Sequence, residues 1–261
     1  MRFASPWGAT RVFDRPHHQR IARVLNALDG PLLREYQCFF GGGTAIALSF
    51  GEFRESVDVD FLVSDNGRYR ELRHELTAVE GLRAITRAGA EPLAQANEVR
   101  ADQYGIRTRV LVDGQPIKLE IVMEARIALE PPSEGDAIAG IATLTPLDMA
   151  TTKLLANSDR WPDDGVFSRD LIDLAMMRPS LQLLRLAVAK AEGPYGASVL
   201  RDLERAIQRM RSRTGWLERC MQVMNMDDPS ALVWQRIRAL RRVLSPGGPG
   251  AVPRSRPGTP S

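Results

Sequence analysis

The sequence predicts an α/β protein, a strand-and-helix half followed by a helical half. Three observations carry that expectation. Up to about residue 144, short β-rich runs alternate with stretches of helical period. Tyr104–Val112 (YGIRTRVLV) and Pro116–Glu124 (PIKLEIVME) flank Asp113–Gly114, a strong hairpin signal. From Pro146 to about Leu244 the period is helical, with breaks near Gly165, Pro179, Gly193–Gly196, Gly215 and Asp228–Pro229. The expected division is 1–144 for the α/β half, 145–244 for the helical half and 245–261 for a tail. That tail, SPGGPGAVPRSRPGTPS, is too rich in Pro, Gly and Ser to bury a core and should be disordered.

Along the chain, residues 1–15 form an irregular lead-in. Pro16–Leu28 follows as an amphipathic helix with Ile21, Val24, Leu25 and Leu28 on one face. His17 and His18 are expected to begin that helix at the surface, and with His74 they show no ligand pattern. Cys38–Val63 (CFFGGGTAIALSFGEFRESVDVDFLV) is the most informative stretch. A glycine turn at Gly41–Gly43 opens a short helix expected over Thr44–Phe50. The glycines let backbone approach a phosphate, and the helix N-terminus supplies N–H groups. An apolar strand then carries Asp58 and Asp60, whose side chains point the same way because strand positions alternate. Adjacent carboxylates repel unless a cation lies between them, and an oxygen-only pair suits Mg²⁺ or Mn²⁺. Either feature alone is common in turns and strand ends; in this order and at this spacing they point to a metal-and-nucleotide site.

Composition sets bounds on the rest. A chain of 261 residues with 44% hydrophobic content can hold one large domain or two modest ones. Its two cysteines, Cys38 and Cys220, lack metal spacing and suggest a reducing compartment without a disulfide framework. No run approaches eighteen uncharged apolar residues and the first residues lack a signal layout, so the expectation is a cytoplasmic protein with no membrane contact. A net charge of +3 does not diagnose a nucleic-acid binder. Its distribution says more: Arg185–Arg242 holds 12 basic against 6 acidic residues. Such a helical surface could track an RNA backbone, or could be a solvated face in an Arg-rich chain.

GGTAIAL followed by Arg54, Ser56, Asp58, Asp60 and Phe61 resembles the AbiEii/AbiGii toxin family of nucleotidyltransferases. That family belongs to the DNA polymerase β-like superfamily, whose signature is Gly-Gly or Gly-Ser, a spacer, then Asp-x-Asp/Glu. The resemblance covers about residues 35–178. The 14 residues between Gly43 and Asp58 are about one more than usual, the extra one falling in the Gly51–Glu55 turn. The implied fold is a polymerase β-like domain with a mixed sheet, completed by helices. The superfamily needs a third carboxylate on a neighbouring strand, where relatives more often carry Asp. In PIKLEIVME, Lys118, Glu120 and Val122 share one face, which makes Glu120 the candidate; the plain alternative is a solvated strand face.

Downstream, Thr145 and Pro146 read as N-cap and first helical position of a helix to about Asn157. Ser168 can cap a second helix bearing Arg169, Asp170 and Asp173. This block resembles the family's second region, a helical Lys, a loop, then R-D-x-x-D. The match implies that Lys153 contacts the triphosphate, with Asp170 or Asp173 supporting the site. Only 3 of 35 basic residues are Lys, so a retained Lys has some weight as a compact phosphate partner, though Lys118 and Lys190 share it.

What the resemblance implies is in-line transfer of NMP from an NTP to an acceptor hydroxyl. Asp58, Asp60 and Glu120 would be metal ligands, with Asp60 and Glu120 shared by a second ion near the acceptor. Gly42, Gly43, Thr44 and Ser56 would line the nucleotide site with Lys153 and Asp173. The family members are toxins of two-gene, type IV toxin–antitoxin systems that modify RNA, in some cases the tRNA 3′ end. RNA or tRNA is therefore the expected acceptor and an antitoxin the expected partner. The alternatives are a nucleotidyltransferase acting on a small molecule such as an antibiotic, and an inactive nucleotide-binding module.

Overall fold

A computed structural model describes residues 13–244 of the chain. Most of the anticipated lead-in and the tail from residue 245 lie outside the described residues. The architecture is mixed α/β with a helical C-terminal region. In chain order the elements are α1 (Pro16–Ala27), α2 (Gly30–Glu35), β1 (Phe39–Gly41), α3 (Gly42–Ser49), β2 (Val59–Val63) and α4 (Asn66–Thr77). Then come β3 (Ala94–Gln95), β4 (Arg100–Ala101), β5 (Gly105–Val112), β6 (Gln115–Met123), β7 (Ala137–Ile138) and β8 (Ile141–Ala142). The helical region holds α5 (Pro146–Arg160), α6 (Arg169–Met176), α7 (Leu181–Tyr195), α8 (Ser198–Ser212), α9 (Trp216–Val223) and α10 (Ser230–Ala239).

The main sheet runs β1-β2-β6-β5-β3, with β4 also paired to β5. It is mixed, because β2 lies parallel to β6 while β1–β2 and β5–β6 are antiparallel. The hairpin forms at Asp113 and Gly114, both with positive φ, as a two-residue turn of the primed type requires. Alternation sorts the two faces of β5 and β6. Ile117, Leu119, Ile121, Ile106 and Val110 are buried, whereas Lys118, Glu120, Arg107 and Arg109 lie on the open face. Helices α1 and α4 pack on the sheet through Ile21, Val24, Leu25, Tyr69 and Leu72.

Several local expectations need correction. Helix α3 begins two residues before Thr44, because Gly42 at φ +67° turns the chain from strand into helix with no loop between. His18 is fully buried, not at the surface: with Ile21 and Leu25 it falls on the inward stripe of α1. Helix α5 runs to Arg160, three residues past Asn157, and Thr145 caps it by accepting the Asp148 N–H at 3.1 Å. Ser168 precedes α6 in the left-handed region and makes no cap bond; its hydroxyl accepts from Trp216 Nε1 at 3.1 Å. The break expected near Gly193–Gly196 is present, although α7 runs through Gly193 and Pro194 to Tyr195 before ending at Gly196.

Helix α5 is the hub of the second region, packing on α6, α7 and α8, while α10 packs on α6. Helix α3 contacts both α5 and α6, so the glycine turn meets the helical region directly.

Candidate active site

The glycines are fixed by what lies against them. A Cβ on Gly42 would sit 2.6 Å from an Asp60 carboxylate oxygen. A Cβ on Gly43 would overlap the Arg54 guanidinium and come 3.3 Å from Asp173. Backbone at α3 therefore touches the carboxylate of β2 on one side and a buried ion pair on the other. No side chain caps α3 at its N-terminus, which leaves its first N–H groups without a side-chain acceptor there.

Asp58 enters β2 and Asp60 lies within it, both half-buried. Burial pushes the Asp60 carboxyl up, the Asp58 charge adds to it, and its pKa reaches about 6 even though Lys118 and Lys153 pull the other way. That is the signature of an acidic pair short of positive charge. The donor set is two carboxylates beside a backbone cradle that only glycine can form, which fits a hard divalent cation.

Glu120 is the direct neighbour of Asp60 across the parallel pair. Its two oxygens are already engaged, one by Arg107 Nε at 2.6 Å and the other by the Lys118 ammonium. Burial raises its pKa, but Lys118 and Arg107 outweigh this and hold it below the ordinary value. Among the described residues, no group of three or more His, Cys, Asp or Glu side chains is assembled to hold a metal. The three carboxylates are thus brought into one neighbourhood, two of them open and the third paired with cations.

Thr44 faces inward and half-buried Ser56 packs against it. Thr44 is buried; its hydroxyl donates to the Asp58 carbonyl at 2.5 Å and shares a 2.7 Å hydrogen bond with Ser56. Behind them, His18 Nε2 accepts the Ser56 N–H at 3.1 Å while Nδ1 meets Glu52 at 2.7 Å. Those partners select the neutral imidazole, and burial lowers its pKa despite Glu52. This relay holds the turn that feeds Asp58 into the sheet.

Lys153, Asp170 and Asp173 come together below the mouth. Lys153 is buried, 2.7 Å from Asp173 and 3.1 Å from Asp170. Arg54 grips Asp173 through two bonds of 2.6 and 2.9 Å, and Arg160 grips Asp170 at 2.7 and 3.0 Å. Burial works against both carboxylates, yet Lys153 and Arg160 hold Asp170, and Arg54 and Lys153 hold Asp173, well below the usual range. Three cations against two carboxylates leave one net positive charge in a buried cluster adjoining Asp60. Lys153, expected on the triphosphate, is thus brought together with Asp170 and Asp173, the two carboxylates expected to support the site, and both ion pairs are internal. Arg54, Arg160, His18 and Glu52 carry no role in the sequence pattern alone. Arg54 stood inside the R-x-S-x-D-x-D pattern, the one available signal, but nothing local names a partner 119 residues away.

Comparison with known proteins adds the following. The family model described as nucleotidyl transferase AbiEii toxin, type IV TA system, matches residues 23–242. The chain is similar to a solved candidate nucleotidyltransferase from H. pylori, with 17% identity, a TM-score of 0.47, and coverage of 87% of this chain and 94% of that one. It is likewise similar to JHP933 from Helicobacter pylori, with 18% identity, a TM-score of 0.47, and coverage of 87% and 91%. No curated protein matches it.

Proposed function

Since the chain belongs to the AbiEii nucleotidyl transferase toxin family of type IV toxin–antitoxin systems and is a nucleotidyltransferase, we propose that it transfers NMP from an NTP to a hydroxyl of an RNA acceptor. On this reading Asp58 and Asp60 hold Mg²⁺ or Mn²⁺, tRNA is the favoured acceptor, and the reaction takes place in the cytoplasm. An antitoxin and an NTP follow from the family. Among the described residues no helix is long and apolar enough to cross a membrane.

The carboxylate pair Asp58–Asp60, short of compensating charge and pressed against Gly42, carries the proposal. A bound divalent cation would stabilise charge on the transferring phosphate and activate the acceptor hydroxyl. The first N–H groups of α3, at Gly42, Gly43 and Thr44, receive phosphate oxygens. Glu120 joins Asp60 only by leaving Arg107 or Lys118. Lys153 supplies positive potential toward the triphosphate and holds Asp170 and Asp173 in place; direct contact requires it to leave one of them. Through Asp173 and Arg54 it also fixes Gly43. Ser56 positions Asp58 through Thr44. Residues 1–144 bring the carboxylates and the glycine turn, and residues 145–244 complete the nucleotide site.

The test incubates purified protein with total RNA, Mg²⁺ and each α-³²P NTP in turn. Label in a tRNA-sized band is expected, and none with the Asp58→Ala, Asp60→Ala double variant. Labelling that survives the double variant refutes the site, and label confined to small molecules refutes the acceptor.

A further inference from the structure

The open face of the sheet carries an arrangement that folding alone does not favour. Register aligns Asp60 with Glu120, Glu120 with Arg107, and Arg107 with Arg100, one residue on each of β2, β6, β5 and β4. Two pairs along the hairpin, and so on the same face, Arg109 stands opposite Lys118. Paired residues share a face, so four cations lie on one surface leading away from Asp60. Two of the cross-strand pairs, Arg100–Arg107 and Arg109–Lys118, are like-charged, an arrangement that destabilises a sheet. Glu120 answers Arg107 and Lys118, and Asp102 reaches Arg107 at 3.1 Å. Arg100 and Arg109 are exposed and make no ion pair among the described residues. With strands spaced at about 4.8 Å, the row from Asp60 to Arg100 spans roughly 14 Å.

We infer that this face is the track for the acceptor's phosphate backbone. A single-stranded RNA end lies across β4, β5 and β6 on Arg100, Arg107, Arg109 and Lys118, and its terminal hydroxyl arrives at Asp58 and Asp60. A polyanion answers Arg100 and Arg109, the two cations of these pairs that make no ion pair among the described residues, and the row ends at the carboxylates where a hydroxyl must react. A phosphate that draws Arg107 or Lys118 onto itself also releases Glu120 toward Asp60, so acceptor binding and assembly of the third carboxylate are coupled. This inference rests on RNA being the acceptor. Another basic concavity, lined by Arg201, Arg205, Arg211, Arg238 and Arg241 with Glu204 and Trp234, is built wholly from the helical region and carries none of Asp58, Asp60 and Glu120.

Fluorescence anisotropy of a labelled single-stranded RNA with a free 3′-hydroxyl, in EDTA across a salt series, reads binding without catalysis. The Arg100→Gln, Arg109→Gln variant removes two exposed side chains that hold no ion-pair partner among the described residues, and far-UV circular dichroism verifies its fold. Expected is binding at least tenfold weaker near 0.1 M salt, with the slope of log Kd against log salt reduced by about 1.4, at 0.7 per lost phosphate contact on a single strand. Affinity within twofold of wild type and an unchanged slope overturn the track. Loss of binding in Arg238→Gln, Arg241→Gln but not in the sheet variant overturns it too, placing RNA on the helical side. So does a sheet variant that binds RNA normally but escapes its antitoxin, which assigns the face to a protein. If wild-type protein labels RNA while the sheet variant binds it normally, only the track fails. If wild type labels no RNA with any nucleotide, the acceptor reading fails with it.

Discussion

At Asp60 burial and the Asp58 charge both oppose ionisation, and the resulting pKa of about 6 makes a stability prediction with a definite sign. A carboxyl whose folded pKa lies above its unfolded value stabilises the fold when protonated. That contribution is present below about pH 4 and is lost as pH rises through 6. Metal-free protein should therefore gain stability over Asp60→Asn on going from pH 7.5 to pH 4.5, by on the order of 2 kcal/mol. Urea unfolding of both proteins in EDTA at the two pH values measures this, and the difference between them cancels the other carboxylates. A pH-independent difference would show that Asp60 is adequately compensated and remove the main argument for a cation there. Lys153 is governed by the opposite logic. Its ammonium is buried between two carboxylates, so it does not behave as a surface lysine. Lys153→Ala leaves Asp170 with Arg160 and Asp173 with Arg54, and should cost about 2 kcal/mol, less than for a pair left with no partner. Activity should disappear with it. Lys153→Met, which keeps the stem and removes the charge, separates the causes: near-normal stability with no transfer supports an electrostatic role, whereas wild-type rates would end Lys153's place in the site.

Among the elements, the β5–β6 hairpin, the cap of α5 and the inward stripe of α1 were legible because each is decided within a few residues. Asp113–Gly114 needs two positive φ values, Thr145 needs an N–H three residues on, and Ile21, Val24 and Leu25 need only the helical period. Asp58 and Asp60 were legible for the same reason, since alternation on one strand sets their direction. The misses are where a distant partner decides. Ser168 has the chemistry of a cap but is held by Trp216, and His18 turns inward because Glu52 and Ser56 supply partners for a buried imidazole. The Arg54–Asp173 grip joins the loop before β2 to α6 across 119 residues, and no local pattern encodes it. Gly43 is where that grip becomes testable at the level of elements. Gly43→Ala places a methyl on the Arg54 guanidinium and pushes α3 from α6, so it should destabilise by about 1–3 kcal/mol as overpacking does. Gly51→Ala serves as a control for glycine replacement, since no atom lies within 4 Å of its Cβ position, although its φ of +89° carries strain of its own. Nucleotide binding followed by isothermal titration should be lost in Gly43→Ala and kept in Gly51→Ala. Equal affinity in the two would mean that contact between the glycine turn and the ion pair does not shape the mouth.

For the whole molecule the question is whether the sheet half and the helical half unfold together. They meet at α3 against α5 and α6, and at the ion cluster in which Arg54 from one half holds Asp173 from the other. A buried charged pair of this kind is costly to separate, because each side would be left desolvated without its partner. The joint should therefore couple the halves into one transition. The tryptophans offer a probe: Trp161, Trp216 and Trp234 all lie in the helical half, and Trp7, outside the described residues, can be replaced by Phe. In a Trp7→Phe background, fluorescence reports the helical half while far-UV circular dichroism reports both. The two urea curves should coincide for that protein, as for a two-state unit. Asp173→Asn weakens the grip of Arg54 and of Lys153 at once, and the curves should then part, with fluorescence and circular dichroism giving different midpoints. Separated curves in the parent protein would show that the halves are independent domains and that the cluster serves the nucleotide site alone. Coincident curves in Asp173→Asn would instead assign the coupling to apolar packing between α3 and the α5–α6 pair, leaving the buried charges to tune the potential around Asp60.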